Sequence, residues 1–315
     1  MTGQDDQSGH LEDEAGAPLA EAEPVSDPVA EPPLRNILLT LQWDGTAFCG
    51  WQYQDGQRTV QGELTAALER MVRHPVKPIA SSRTDAGVHA ESIPVSFETT
   101  RPIPLPNFVK GLNTALPDDV SVLNAREIPL GHRPRDLAVA KTYTYRLQLG
   151  PRRALSERYA WSLKREDFDL QAVREAAAHL LGEHDFSAFR AAQCDAKTTR
   201  RCIHSLDVVR DDNDLVSLVI TGNAFMRNMV RIIAGTLVEV GLGRRPPGWV
   251  ADVLTGGDRR KAGQTAPARG LTLTKVHFEG YPRLGKPAPG ERFANSERAA
   301  EDPNPLDALD LENDE

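Results

Sequence analysis

SSRTDAGVHA, residues 81–90, sets one carboxylate, Asp85, in a short turn, with Arg83 two residues before it, Ala86 and Gly87 after it, and His89 four residues on. The turn stands between two periodicities. Upstream, Leu64, Leu68, Met71 and Val72 recur at helical spacing from about Val60 to His74, and Thr59 is placed to cap that helix. Downstream, SIPVSFET (92–99) reads as a strand. An acid in a loop between a helix and a strand sits at the edge of a rigid scaffold, a common place for chemistry.

Working outward, ILLTLQW (37–43) alternates Ile37, Leu39, Leu41 and Trp43 in the period of a strand, and DGTAFCGWQ (44–52) follows as a glycine-containing loop. KTYTYRLQLG (141–150) places Tyr143, Tyr145, Leu147 and Leu149 on one face of a half-buried strand. DFDLQAVREAAAHLLG (167–182) reads as a helix with acids at its start and Gly182 at its end. Residues 203–210 and 214–221 form a hairpin. FMRNMVRIIAGTLVEVGLG (225–243) reads as an apolar helix starting near Phe225, and LTLTKVHF (271–278) as a last strand. The expectation is an α+β fold: two similar α/β halves, residues 35–140 and 141–281, with mostly antiparallel sheet and a cleft between them.

Charge is unevenly spread over the 315 residues, whose net is −8. Residues 1–34 hold nine acids and no base, and residues 282–315 hold nine acids and four bases, which leaves 33 bases and 27 acids, a balance of +6, for residues 35–281. Both acidic tails lack sustained apolar periodicity and read as disordered. The basic body suits a nucleic-acid partner, with Arg152-Arg153, Arg200-Arg201, Arg244-Arg245 and Arg259-Arg260-Lys261 as phosphate contacts. No apolar run is long enough to span a bilayer, and the N-terminus does not read as a secretory signal, so a cytoplasmic protein without a membrane role is expected.

Cys49, Cys194 and Cys202 read as free thiols. Cys194, Cys202 and His204 lack the spacing of a metal site, so no metal is expected. Neither a phosphate-binding GxxxxGK[ST] loop nor a GxGxxG dinucleotide fingerprint is present, which leaves NTP hydrolysis and hydride transfer without support. Arg227 and Arg231, four apart, would share a face of the apolar helix, and a guanidinium there calls for an acid such as Asp85. The alternative is that both arginines lie on a solvated edge. Tyr143 and Tyr145, two aromatics on one strand face, read as core residues ahead of ligand-site residues, and His89, His184 and His204 read as lone structural histidines.

WDGTAFCGWQYQ, SSRTDAGVHA, KTYTYRLQLG, HLLGEHDFSAFR, FMRNMVRIIAG and ARGLTLTKVHF, in this order, resemble the tRNA pseudouridine synthase A family over about residues 36–281. The resemblance implies the pseudouridine synthase fold and a homodimer. It implies isomerisation of uridine to pseudouridine at tRNA positions 38, 39 and 40, in the anticodon stem and loop, with no cofactor and no metal. Carried over by motif, Asp85 is the nucleophile, Arg83 assists extrusion of the target nucleotide, Tyr143 packs against the target base, and Arg231 pairs with Asp85. One segment departs from the pattern. Where the family usually has an aromatic ahead of its arginine, this chain reads His132-Arg133-Pro134-Arg135, keeping Arg135 and losing the aromatic. A tRNA-binding protein or folding chaperone with the same fold and no chemistry, and a synthase acting on another RNA, are the competing readings.

Overall fold

Buried apolar residues at strand and helix spacing build the scaffold in the order the periodicities predict. The computed structural model describes residues 32–151, 156–192, 194 and 196–280. The expected acidic tails therefore lie, apart from residues 32–34, outside the described residues, as does the Arg152-Arg153 pair. The elements of the first part are β1 (Arg35–Trp43), α1 (Val60–Val72), β2 (Ile79–Ala80), β3 (His89–Thr99), α2 (Leu105–Ala115), β4 (Val120–Ile128) and α3 (Pro134–Leu137). Those of the second are β5 (Ala140–Gln148), β6 (Trp161–Ser162), α4 (Leu170–Ala178), β7 (Gly182–Asp185), β8 (Arg200–Arg210), β9 (Leu215–Gly222), α5 (Met229–Gly241), α6 (Trp249–Gly256) and β10 (Leu271–His277).

Caps fix the helices where the sequence places them. The Thr59 side chain accepts from Gly62 N–H at the start of α1, and Asp169 accepts from Ala172 N–H at the start of α4. Two boundaries differ from expectation. The α4 helix ends at Ala178, and Gly182 opens strand β7 instead of closing the helix. The α5 helix begins at Met229, because Asn228 ahead of it adopts a left-handed conformation (φ 61°) that breaks helical geometry. Arg227 is therefore in the turn before the helix and shares no helical face with Arg231.

The fold is α+β, with one sheet running in the order β4-β1-β3-β10-β5-β9-β8-β7. Neighbours along this order pair antiparallel except at β3 and β10, which run parallel and match at only two positions, Thr272 with His89 and Leu273 with Ala90. That short seam joins the strands from the first part of the chain to those of the second. In β1, Leu38 is as buried as Ile37 and Leu39, so both faces of the strand are covered and the simple alternation seen in its sequence does not divide it into a dry and a wet face. The α5 helix is buried on nearly all sides, which explains its apolar sequence. Among the described residues no helix is long and apolar enough to cross a membrane.

Candidate active site

The Asp85 turn ends where β3 begins, directly at the seam with β10. Its shape is imposed by the loop after β1. Trp51 N–H donates to Thr84 O at 3.2 Å, and Gly87 N–H donates to Phe48 O at 3.1 Å. The Trp43 indole N–H donates to Val88 O at 3.2 Å, and Val88 N–H closes the turn on Asp85 O at 3.2 Å. Two glycines make this approach possible. A Cβ on Gly45 would lie 2.1 Å from Val88 O, and one on Gly50, where φ is +94°, would lie 2.6 Å from Thr84 O. The WDGTAFCGWQ segment, which in sequence is only a loop, is thus the clamp of the acid-bearing turn.

Asp85 sits at a cavity of about 80 Å³ shared with Thr84, Tyr143, Phe225, Met226 and Leu271. Its side chain is about one-third exposed (35%), so the carboxylate stands between solvent and an apolar wall. Tyr143 is buried, its hydroxyl 3.5 Å from Ser82 Oγ and its ring edge-on to Phe225 with centroids 5.1 Å apart. Burial pushes the Tyr143 phenol up to about 12, opposed by the Ser82 hydrogen bond and reinforced by the negative charge of Asp85. It is neutral at physiological pH.

Of the residues singled out in the sequence, Asp85 and Tyr143 line one cavity. Arg83 is exposed beside the turn. Asp85's ion pair comes from Arg227, whose Nε lies 3.8 Å from Asp85 Oδ1. The pairing expected of Arg231 is not made. Its Nε donates to Ala266 O at 2.7 Å and its Nη1 to Asn228 Oδ1 at 2.9 Å, so the guanidinium is turned toward the segment before β10. Burial lowers the Arg231 pKa, while the charges of Asp85 and Tyr145 oppose that shift, so Arg231 acts on Asp85 only as a charge beyond ion-pair distance.

Phe225 and Asn228 were not legible as site residues, because their roles depend on which strand and turn α5 packs against. Their only sequence signals are an aromatic just before an apolar run and a residue type that tolerates positive φ. Cys202 Sγ lies 3.6 Å from His204 Nδ1, and among the described residues no three His, Cys, Asp or Glu side chains gather as a metal site. Several of the basic residues expected to meet phosphate are engaged locally. Arg200 pairs with Glu183, Arg244 with Glu239 and Arg260 with Asp258, each within 3.0 Å.

A lone carboxylate beside a buried neutral phenol and an apolar wall, with a guanidinium at the mouth, can attack or deprotonate a flat heterocycle-bearing sugar while limiting water. The chain is similar to proteins named tRNA pseudouridine synthase A. A family model described as tRNA pseudouridine synthase matches residues 176–279. A tRNA pseudouridine synthase A from Citrifermentans bemidjiense is 47% identical over 248 residues, 78% of this chain and 98% of that protein. Proteins of the same name from Myxococcus xanthus and Geobacter sp. strain M21 are 45% and 46% identical, spanning 80% and 78% of this chain and 95% and 99% of theirs.

Proposed function

The chain belongs to the tRNA pseudouridine synthase A family, enzymes that isomerise uridine in tRNA, and on that premise we propose that Asp85 is the nucleophile for uridines 38, 39 and 40 of the anticodon stem and loop. The observation that carries this reading is Asp85 held by backbone clamps at a cavity walled by Tyr143, Phe225 and Met226.

In the reaction the N1–C1′ glycosidic bond breaks, the uracil turns, and a C5–C1′ bond forms. The C5 proton is lost to solvent and N1 takes up a proton, so reactant and product are isomers and no oxidant or energy source enters the balance. A carboxylate divides this into easier steps by attacking the sugar or the base or by removing a sugar proton. The apolar wall keeps water from the detached sugar. A stacked base cannot reach Asp85, so the nucleotide is flipped out, with exposed Arg83 assisting and the Tyr143 ring supporting the base. The cavity of about 80 Å³ is smaller than the roughly 300 Å³ at the low end of ligand pockets, so on this reading it widens to admit the base.

We take residues 35–140 and 141–281 as the two halves meeting at the β3–β10 seam, with the enzyme acting as a cytoplasmic homodimer without cofactor or metal. The test is tRNA transcript carrying tritium at C5 of uridine, incubated with wild-type protein and with Asp85→Asn. Tritium released by wild type alone supports the assignment. No release from wild type, with tRNA still bound, supports an RNA-binding protein without chemistry.

A further inference from the structure

His89, next to last in the SSRTDAGVHA motif, is buried, at 4% exposure, as the first residue of β3. Its two ring nitrogens face groups whose roles are fixed. Gly45 N–H, in the clamp loop, can only donate, and it lies 3.0 Å from Nδ1. The Arg269 carbonyl, in the segment before β10, can only accept, and it lies 3.2 Å from Nε2. Gly45 N–H and the Arg269 carbonyl together fit the neutral ring with its proton on Nε2, against the pull of Asp44 Oδ1, an acceptor that also lies 3.1 Å from Nδ1.

The bridge has a particular reach. The segment 266–270 comes from the far side of the seam, and three of its carbonyls are held by side chains: Ala266 by Arg231, Pro267 by the Tyr145 hydroxyl, and Arg269 by His89. Ala268, between them, packs against Gly87, two residues after Asp85, so closely that a Cβ on Gly87 would lie 3.1 Å from the Ala268 Cβ. With only two matched positions in the β3–β10 ladder, the register of the two strand sets at Asp85 depends on such side-chain links.

We propose that His89 is a positioning residue for Asp85: its neutral, Nε2-protonated imidazole ties the loop that clamps the acid to the segment that packs on the acid's turn. This rests on Asp85 being the nucleophile. A second proton on the ring would set Nδ1–H against Gly45 N–H and draw the imidazole toward Asp44 Oδ1, 3.1 Å away. Opposing that proton are burial and the charges of Arg146 on β5 and Arg158, with Arg269 close by before β10. Favouring it are Asp44, after β1, and the Arg269 carbonyl, with Glu91 on β3 and Asp118 and Asp119 lining the same side. The Tyr159 ring stands edge-on to the imidazole at 5.1 Å, and its hydroxyl donates to Asp44. The balance keeps His89 titrating below its ordinary 6.5, so the bridge is intact at neutral pH and opens as pH falls.

The test pairs a readout independent of substrate with turnover. In protein labelled with nitrogen-15 on histidine, the His89 ring should show protonated Nε2 and bare Nδ1 at pH 7, with titration below 6.5. Steady-state tritium release should show kcat falling with the same midpoint while KM for tRNA stays level. His89→Ala should lower kcat about 10- to 100-fold with KM within about twofold, because displacing a reacting group by an ångström costs about that much. His89→Gln, whose amide can accept from Gly45 and donate to Arg269, should recover most of kcat and lose the acid limb; this variant carries the test if His89→Ala fails to fold. A cationic His89 at pH 7, a kcat level through its titration, or an acid limb unchanged in His89→Gln would overturn the proposal. A wild type inactive on tRNA with the bridged tautomer present would instead remove the reaction assigned above while supporting the bridge.

Discussion

Arg227 Nε lies 3.8 Å from Asp85 Oδ1, while Arg231, four residues on and inside the helix, directs its guanidinium to Ala266 O and Asn228 Oδ1. The two arginines of one motif therefore divide two tasks: Arg227 meets the acid at the exposed mouth, and Arg231 holds the segment that packs behind it.

Their substitutions should separate. Arg227→Leu removes a loose, half-exposed pair of the kind that contributes at most about 1 kcal/mol, so Tm should move by no more than about 3 °C while kcat falls. Arg231→Leu leaves the Ala266 carbonyl without its side-chain donor, at about 1–3 kcal/mol, and Tm should fall by several degrees together with activity. Differential scanning calorimetry beside tritium release reads both. Arg231→Leu with wild-type melting and full activity would contradict its structural assignment.

Asp85→Asn keeps the size of the side chain and the backbone clamps of the turn. Turnover should fall by at least about 10³-fold, as expected when a nucleophile is removed, while tRNA Kd stays level or tightens because a negative charge has left an RNA-facing cleft. Filter binding and single-turnover assays on one preparation distinguish the two effects, and normal turnover would remove the central assignment.

Tyr143 sets an alkaline limit on stability. Its folded pKa of about 12 stands above the ordinary 10, so its contribution is fully present below pH 10 and is lost as pH rises toward 12. Tyr143→Phe should flatten the fall in Tm over that window, by an amount on the order of 2 kcal/mol of unfolding free energy, and retain much of the activity. Tyr143→Ala, which empties the wall beside Phe225, should lose activity more than tRNA affinity. Loss of affinity alone would make Tyr143 an RNA-surface residue.

Gly45→Ala probes the clamp through the backbone of Val88, without altering the side chain of Asp85 or Tyr143. Its new Cβ meets the Val88 carbonyl at 2.1 Å, so the Asp85 turn or the loop must shift. Overpacking of this kind costs about 1–3 kcal/mol, and kcat should fall by up to about 100-fold. A variant with wild-type kcat would show that the turn tolerates displacement.

Elements set by neighbours in the chain were legible in the sequence. The spacing of Leu64, Leu68 and Val72, the Thr59 cap and the hairpin through residues 211–214 name their own structure, because periodicity and capping act within a few residues. The α5 boundary was read too early, since Asn228 adopts its left-handed conformation in a stretch that is otherwise helical in pattern. The motif around Asp85, with five others in order, was enough to mark the family and the candidate acid, which the similarity to tRNA pseudouridine synthase A proteins supports at the level of family. The partners of that acid were not legible. Whether Arg227 or Arg231 meets Asp85, that Phe225 stands against Tyr143, and that His89 reaches the carbonyl of Arg269, 180 residues away, depend on how β3 and β10 come side by side. Local propensity carries no record of such distant pairings; they are decided when the sheet closes at its two-residue seam and the buried backbone groups of the two strand sets meet.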